Sequence, residues 1–395
     1  MPLIINSPKN AVPTAPSCHD AVRLVGRKLY EFCQRNNWAG YDPYDALNSR
    51  LFRALPFLDW KLARLVMTQG FKWMPLNLRP LFLVPRVQNP KGLALFISAL
   101  LRLERTEEAV ALGESLLSQR SADQQYWNWG YSFPWQTRTR LVPRHEPNLV
   151  CTVFAAEALL DLFEKTGDER FLAAARSSGK YLTEQLIWRN DGVTSLCYPL
   201  PGWKSQVHNA NFLGASLLCR IDRVTGELMH QSTALEIARY SASCQQADGS
   251  WVYGEASSQH WIDSFHTGFN LCALDAMSSH LKSEEFSDHI RKGLHFYLEH
   301  FFEADGAPKY FHDRKYPLDV HSAAQALLTL TQLNHRDSDC APTREAVCQW
   351  SLRHLWDERG FFSYQKRRYW TVRIPYMRWG QAWMLLALSH IISEN

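Results

Sequence analysis

No stretch of this chain is apolar for long enough to cross a bilayer. Its longest apolar runs reach about ten residues, against the roughly 20 that a spanning helix needs. The first 17 residues (MPLIINSPKNAVPTAPS) lack a basic stretch followed by an apolar one, so no secretory signal is expected. C-x-x-C is absent, and the nine cysteines are scattered and odd in number. That argues against a disulfide framework and for a reduced, cytoplasmic chain. HExxH is absent, as are the glycine-rich phosphate loops, so neither a metal nor a cofactor is expected. Charge of one sign is scarce too: a formal net charge of +4 over 395 residues argues against a nucleic-acid partner. Finally, no Gly-, Ser- or Pro-rich linker divides the region after residue 88.

What is present is a repeat. Six times a polar or charged position opens a run rich in small and apolar residues. The runs begin near Asn89, Asn148, Asn209, His266, His321 and Arg378, at intervals of 59, 61, 57, 55 and 57 residues. A fixed period of this size marks one supersecondary unit stacked on copies of itself. Between the runs lie amphipathic patterns of a second kind (106–120, 168–186, 225–244, 283–302 and 343–356), with Thr106, Asp168, Thr225, Ser283 and Thr343 expected as N-caps. The first kind is apolar nearly all round and belongs inside; the second belongs outside.

The expected fold is therefore all-α: an (α/α)6 toroid, with short β-hairpins in the long loops at one mouth. An open solenoid is the rival, but it needs a polar capping repeat, and the last run (WMLLALSHII) is apolar. Three regions are expected: a flexible arm (1–19), a basic and aromatic helical segment packing on the ring (20–87), and the six-repeat toroid carrying the site (88–395). The outer helix preceding the first inner one is expected near 58–71. Residues 51–87 carry six cations against Asp59 alone, among many Trp, Phe and Leu. A peripheral contact with an anionic membrane is one expectation for this segment.

Connections from inner to outer helices are short. Those from outer to inner helices are long, and several hold Asp-Gly followed by alternating aromatics, the mark of a hairpin. All long loops thus gather where six inner-helix N-termini converge, an end that favours anions. Cations and flat aromatic faces crowd these loops, which points to an acidic saccharide, oligomeric or polymeric and conceivably lipid-linked. The candidate binding residues are Trp129, Trp135, Arg138, Asn148, Asn209, Trp251, Trp261, Tyr316, Tyr376 and Arg378.

For chemistry, His208, His266 and His321 stand at the starts of three inner helices. There the helix dipole disfavours the imidazolium and leaves a neutral base. With Tyr253, they could move the proton beside a uronate carboxylate, as a uronate epimerase or lyase requires. Hydrolysis needs instead a carboxylate pair, for which Asp263 and Asp319 are the candidates, although Asp at such positions commonly caps a helix. A non-catalytic glycan-binding or scaffold role is the third class.

Two resemblances bear on this. The segment Gln245–Trp251 (QQADGSW) resembles the QW-type motif of prenyltransferase and squalene-cyclase repeats, another α/α toroid, but occurs once and without the D-x-D-D acid motif. The segments GYDPYDALNS, NPKGLALF, NWGYSFPWQTR, VHNANFLGA, DGSWVYGE and PYMRWGQAWM make the chain similar to bacterial six-hairpin proteins associated with surface-polysaccharide biosynthesis. That resemblance implies a role in making or trimming a capsule, O-antigen or exopolysaccharide; it does not select a reaction.

Overall fold

The computed structural model describes residues 18–394 apart from 56, 58, 123, 124 and 138–140. The expected arm falls outside these residues except for Cys18 and His19, which begin the first helix. In chain order the helices are α1 (Cys18–Arg35), α2 (Arg50–Arg53), α3 (Lys61–Trp73), α4 (Pro90–Arg102), α5 (Thr106–Ser118), α6 (Leu149–Thr166) and α7 (Glu169–Tyr181). They continue as α8 (His208–Thr225), α9 (Gln231–Ser243), α10 (Ser264–Leu281), α11 (Ser287–His300), α12 (Val320–Gln332), α13 (Cys340–His354) and α14 (Trp383–Ile392). A π-helical turn, Met377–Ala382, leads into α14.

Helices α4, α6, α8, α10, α12 and α14 form the inner ring, and α14 packs back on α4, so the ring is closed rather than solenoidal. Nearly every residue of α4 and α12 is buried, as expected for helices apolar on most sides. Close packing uses missing side chains: a Cβ on Gly268 of α10 would lie 2.7 Å from Thr329 Oγ1 of α12. The outer layer is α5, α7, α9, α11 and α13, with α1 packed against α14 as the sixth member. This corrects the expectation for residues 58–71. Helix α3 packs on the turn Asp45–Asn48 and on the hairpin at Trp135, at the loop mouth.

Helix boundaries correct the caps as well. Asp168 caps α7, its side chain accepting from the Arg170 N–H. Thr225 instead ends α8, while α11 and α13 start at Ser287 and Cys340, beyond Ser283 and before Thr343. Three inner helices end in a left-handed residue: Gly167 at φ 73°, Gly226 at φ 72° and Lys282 at φ 50°.

The long loops carry the expected hairpins. Strands β3 (Ile187–Asn190) and β4 (Val193–Leu196) pair around Asp191-Gly192, both at positive φ as a tight hairpin turn requires. Earlier in the chain, β1 (Trp135–Gln136) pairs with β2 (Leu141–Val142). Near the end, β6 (Trp356–Asp357) pairs with β7 (Phe361–Phe362), while β5 (Leu318–Asp319), β8 (Gln365–Lys366) and β9 (Thr371–Val372) form a three-stranded sheet. The eight cysteines with described side chains are free thiols. Among the described residues no helix is long and apolar enough to cross a membrane.

Candidate active site at the ring mouth

A cavity of about 410 Å³ opens at the loop end of the ring. Its floor follows one rule. In five inner helices the second residue faces it, Lys91, Val150, Asn209, Phe265 and His321, and Arg378, second in the π-helical turn that leads into α14, does the same; each stands two positions after the residue that precedes its helix or turn. In α10 the next residue, His266, lines it too. Loop aromatics form the walls, with Tyr253 stacked on Trp261 at 4.5 Å and 13°. Tyr44, Tyr131, Trp135, Tyr198 and Tyr310 complete them.

One carboxylate organises the His266 side. Asp263 caps α10 by accepting the His266 backbone N–H at 2.9 Å through Oδ1. Its Oδ2 lies 2.7 Å from His266 Nδ1 and accepts Trp261 Nε1–H at 3.0 Å. Nδ1 is therefore the nitrogen that carries the hydrogen facing Asp263, and Nε2 is left to accept a proton. Asp263 is the one carboxylate among the described lining residues.

His321 differs. Its ring stacks on Phe265 at 4.7 Å and abuts Trp379 and Trp383, and neither ring nitrogen has a protein partner. Burial, then the charges of Lys91, Arg378 and His266, hold its pKa well below the ordinary histidine value, so the ring is neutral. Trp135 Nε1 and Asn209 Oδ1 are likewise buried without protein partners. Such groups carry a cost of about 1–3 kcal/mol each when left unsatisfied, and ligand-facing positions are where that cost is tolerated.

Opposite sit two cations. Arg378 makes a buried double contact with Asp42, at 2.6 and 2.8 Å; although burial disfavours its charge, Asp42 outweighs it and the guanidinium stays protonated. Lys91 Nζ lies 4.1 Å from the Phe154 ring centre and within 5.4 Å of those of Phe269 and Trp383. No carboxylate among the described residues pairs with it. Burial, then the Arg378 charge, pushes its pKa down to about 7.

Of the residues singled out from sequence, the structure brings His266, His321, Tyr253, Asp263, Trp135, Asn209, Trp261 and Arg378 to this cavity. The others lie elsewhere. His208 is the first residue of α8 and points away, with Nε2 2.8 Å from Glu255 and Nδ1 3.2 Å from Ser241 Oγ. Asp319 is buried: it caps α12 at the His321 N–H and accepts from Trp379 and Gln365, and burial pushes its carboxyl up to about 6. Asn148 caps α6, and Trp129 donates to the Leu116 carbonyl. Trp251 donates to the Ser241 carbonyl within the core. The Tyr376 hydroxyl accepts from Arg79, while Tyr316 lines an adjoining groove. Arg138 lies outside the described residues. Sequence reasoning missed Lys91 and Asp42, and it singled out none of Tyr131, Tyr198 and Tyr310 among the aromatics that crowd the loops.

A different group could hold a metal: a His208 ring nitrogen, Cys244 Sγ and a Glu255 oxygen lie within 4.8 Å of one another. These donors are outside the cavity, and His208 already bonds Glu255.

No family model and no curated protein matches this sequence. Solved structures do match. A Listeria innocua protein is 12% identical, with a TM-score of 0.62 over 95% of this chain and 96% of that one. Cellobiose 2-epimerase from Bacillus thermoamylovorans is 11% identical, with a TM-score of 0.62 over 77% of this chain and 86% of that one. An unsaturated glucuronyl hydrolase specific for heparin is 13% identical, with a TM-score of 0.61 over 95% of this chain and 96% of that one. At such identities the likeness is one of fold, and the chain has the (α/α)6 toroid of these proteins.

Proposed function

We propose that this chain is a carbohydrate-active enzyme of bacterial surface-polysaccharide biosynthesis. It acts on an acidic saccharide by removing the proton beside a uronate carboxylate. One observation carries the reading: a histidine fixed by a buried aspartate and a neutral, unpartnered histidine share a cavity with two cations. Lys91 and Arg378 take the substrate carboxylate and stabilise the negative charge that spreads onto it as the proton leaves. His266 Nε2 removes the proton, and Asp263 stabilises the resulting imidazolium. For elimination, the His266 imidazolium passes its proton to the leaving oxygen as the C4–O bond breaks and the C4–C5 double bond forms; for epimerisation, a proton from water enters on the other face, relayed through His321, which is neutral before and after. The fold kinship with an epimerase and a glucuronyl hydrolase supports a sugar substrate. Hydrolysis by a carboxylate pair has less support, because Asp263 is engaged by His266 and Asp319 does not line the cavity.

The membrane side of the proposal rests on residues 51–83, where Phe57, Trp60, Leu62, Val66, Leu76 and Leu81 are all more than half exposed. The charge count there needs correction. Arg79 is buried against Asp45, Lys72 turns into the cavity and Arg64 pairs with Asp59. Of the six cations, Arg53, Lys61 and Arg86 remain exposed. This face meets the anionic inner surface of the cell membrane and brings a lipid-linked substrate to a cytoplasmic enzyme.

The deciding experiment incubates the protein with acidic oligosaccharides in D2O. Deuterium at the uronate C5, or an unsaturated uronate absorbing in the ultraviolet, is the expected result. New reducing ends with neither would overturn proton abstraction in favour of hydrolysis. Binding without any product would leave a glycan-binding module.

A further inference from the structure

A second hollow of about 560 Å³ adjoins the cavity, with Lys72, Tyr310 and Phe311 lining both. Each is of ligand-site size, so together they exceed what one sugar needs. The composition of the outer one is one-sided. Its described lining includes Lys72, Arg314, Arg367 and Arg368 and no carboxylate; Arg314 is paired with the adjacent Asp313 at 3.6 Å, which leaves Arg367 and Arg368 as its guanidinium groups outside any ion pair among the described residues. Arg367 rests its guanidinium 4.5 Å from the Trp73 ring centre and donates to Gln365 Oε1, and its Nε is buried without a partner. Arg368 lies over Tyr369 at 5.2 Å. Guanidinium groups stacked on rings, rather than neutralised by carboxylates, keep their donors for an incoming anion. Trp73, Tyr369 and Trp370 present open aromatic faces at the rim, exposed by 60%, 77% and 46%.

We infer that this groove is a subsite for the neighbouring units of an anionic saccharide chain, so that the enzyme works on an oligomer or polymer rather than on a single sugar. The inference rests on the acidic-saccharide reading above and extends it in length. One unit occupies the cavity between His266 and Arg378. The next anionic units pass Lys72 and lie across Arg367 and Arg368, with sugar faces on Trp73 and Trp370.

The test is titration calorimetry of the full chain with di- and hexasaccharides of galacturonate and of heparosan, with maltohexaose as the neutral control. An acidic hexamer should bind at least about tenfold more tightly than its dimer and lose that advantage as salt rises. Arg367→Ala with Arg368→Ala, and separately Trp73→Ala, should collapse the hexamer to the dimer's affinity. Equal affinity at both lengths, an equally tight neutral hexamer, no binding of either acidic hexamer, or an undiminished hexamer advantage in both variants overturns the subsite. Failure of the catalytic reading shows separately: His266→Ala would then leave deuterium exchange intact while the length dependence persisted.

Discussion

Asp263 holds both ends of one hydrogen-bonding problem at His266: its Oδ1 accepts the backbone N–H at 2.9 Å and its Oδ2 faces ring Nδ1 at 2.7 Å. The carboxylate that starts the helix therefore also selects the tautomer of the side chain. Asp263→Asn keeps an N-cap but loses the charge that supports an imidazolium. Deuterium incorporation should slow by about 10–100-fold, with little change in melting temperature. His266→Ala should cost about 10²–10⁴-fold.

Lys91 sets the pH response. In the unfolded chain its amine titrates near the ordinary lysine value of 10.5; in the fold it titrates at about 7. Between those values the unfolded chain binds the extra proton, so Lys91 makes stability rise with pH across that window. Lys91→Met should therefore melt higher than the parent at pH 6, with the difference shrinking toward pH 10. The parent's affinity for an acidic disaccharide should fall as pH passes about 7, and the variant should show neither that affinity nor that fall.

The Arg378–Asp42 pair joins the last inner helix to the segment before the first. Asp42→Ala leaves a buried guanidinium uncompensated and should cost about 3–5 kcal/mol in urea unfolding. Replacing both residues by apolar ones, Asp42→Leu with Arg378→Met, should recover much of that stability while abolishing binding of acidic saccharides. If the single and double variants unfold alike, the pair is not the linchpin claimed.

Lys282 occupies the left-handed position that Gly167 and Gly226 hold in the preceding repeats. A side chain there is disfavoured by about 1–2 kcal/mol, part of which glycine gives back as greater freedom in the unfolded chain. Lys282→Gly should raise stability by about 0.5–1 kcal/mol, read as a higher melting temperature. Lys282→Ala should not.

The exposed face of α3 makes its own claim. Leu62→Asp with Val66→Asp should abolish co-sedimentation with vesicles containing phosphatidylglycerol and leave the circular dichroism spectrum unchanged. Equal sedimentation of parent and variant, or no sedimentation of the parent, would remove the membrane from the proposal.

How far the sequence carried can be seen at His208 and His321. Both stand at the start of an inner helix, and the period alone treats them as equivalent. They differ by one residue of phase: His321 is the second helical residue and faces the cavity, whereas His208 is the first and is turned by about 100° into the wall. Asn148 and Asp319 stand one position earlier still, ahead of their helices, and turn back onto them as caps. Lys91 was overlooked because a lysine in a helix's first turn is ordinarily solvated; only the register shared with Asn209 and Arg378 marks it as inward. The outer place expected for residues 58–71 belongs to α1 for another reason. Ring closure joins elements far apart in the chain, so proximity in sequence favoured residues 58–71 as the outer partner. Thr225, Ser283 and Thr343 resemble caps locally, but helix length is fixed by ring packing, and α8 runs through Thr225.

The pairing of α1 with α14 has a temporal consequence. The sixth hairpin is assembled from helices more than 340 residues apart, so no turn guides it and it forms only when both have been made. Arg378, which lies just before α14, meets Asp42 in the same event. A nascent chain lacking its last helix would hold five stacked hairpins and an open cleft, with His266 and Lys91 already in place but Arg378 not yet paired with Asp42. The pairing of Arg378 with Asp42, and with it the proposed carboxylate clamp, thus arrives in one late step, with ring closure.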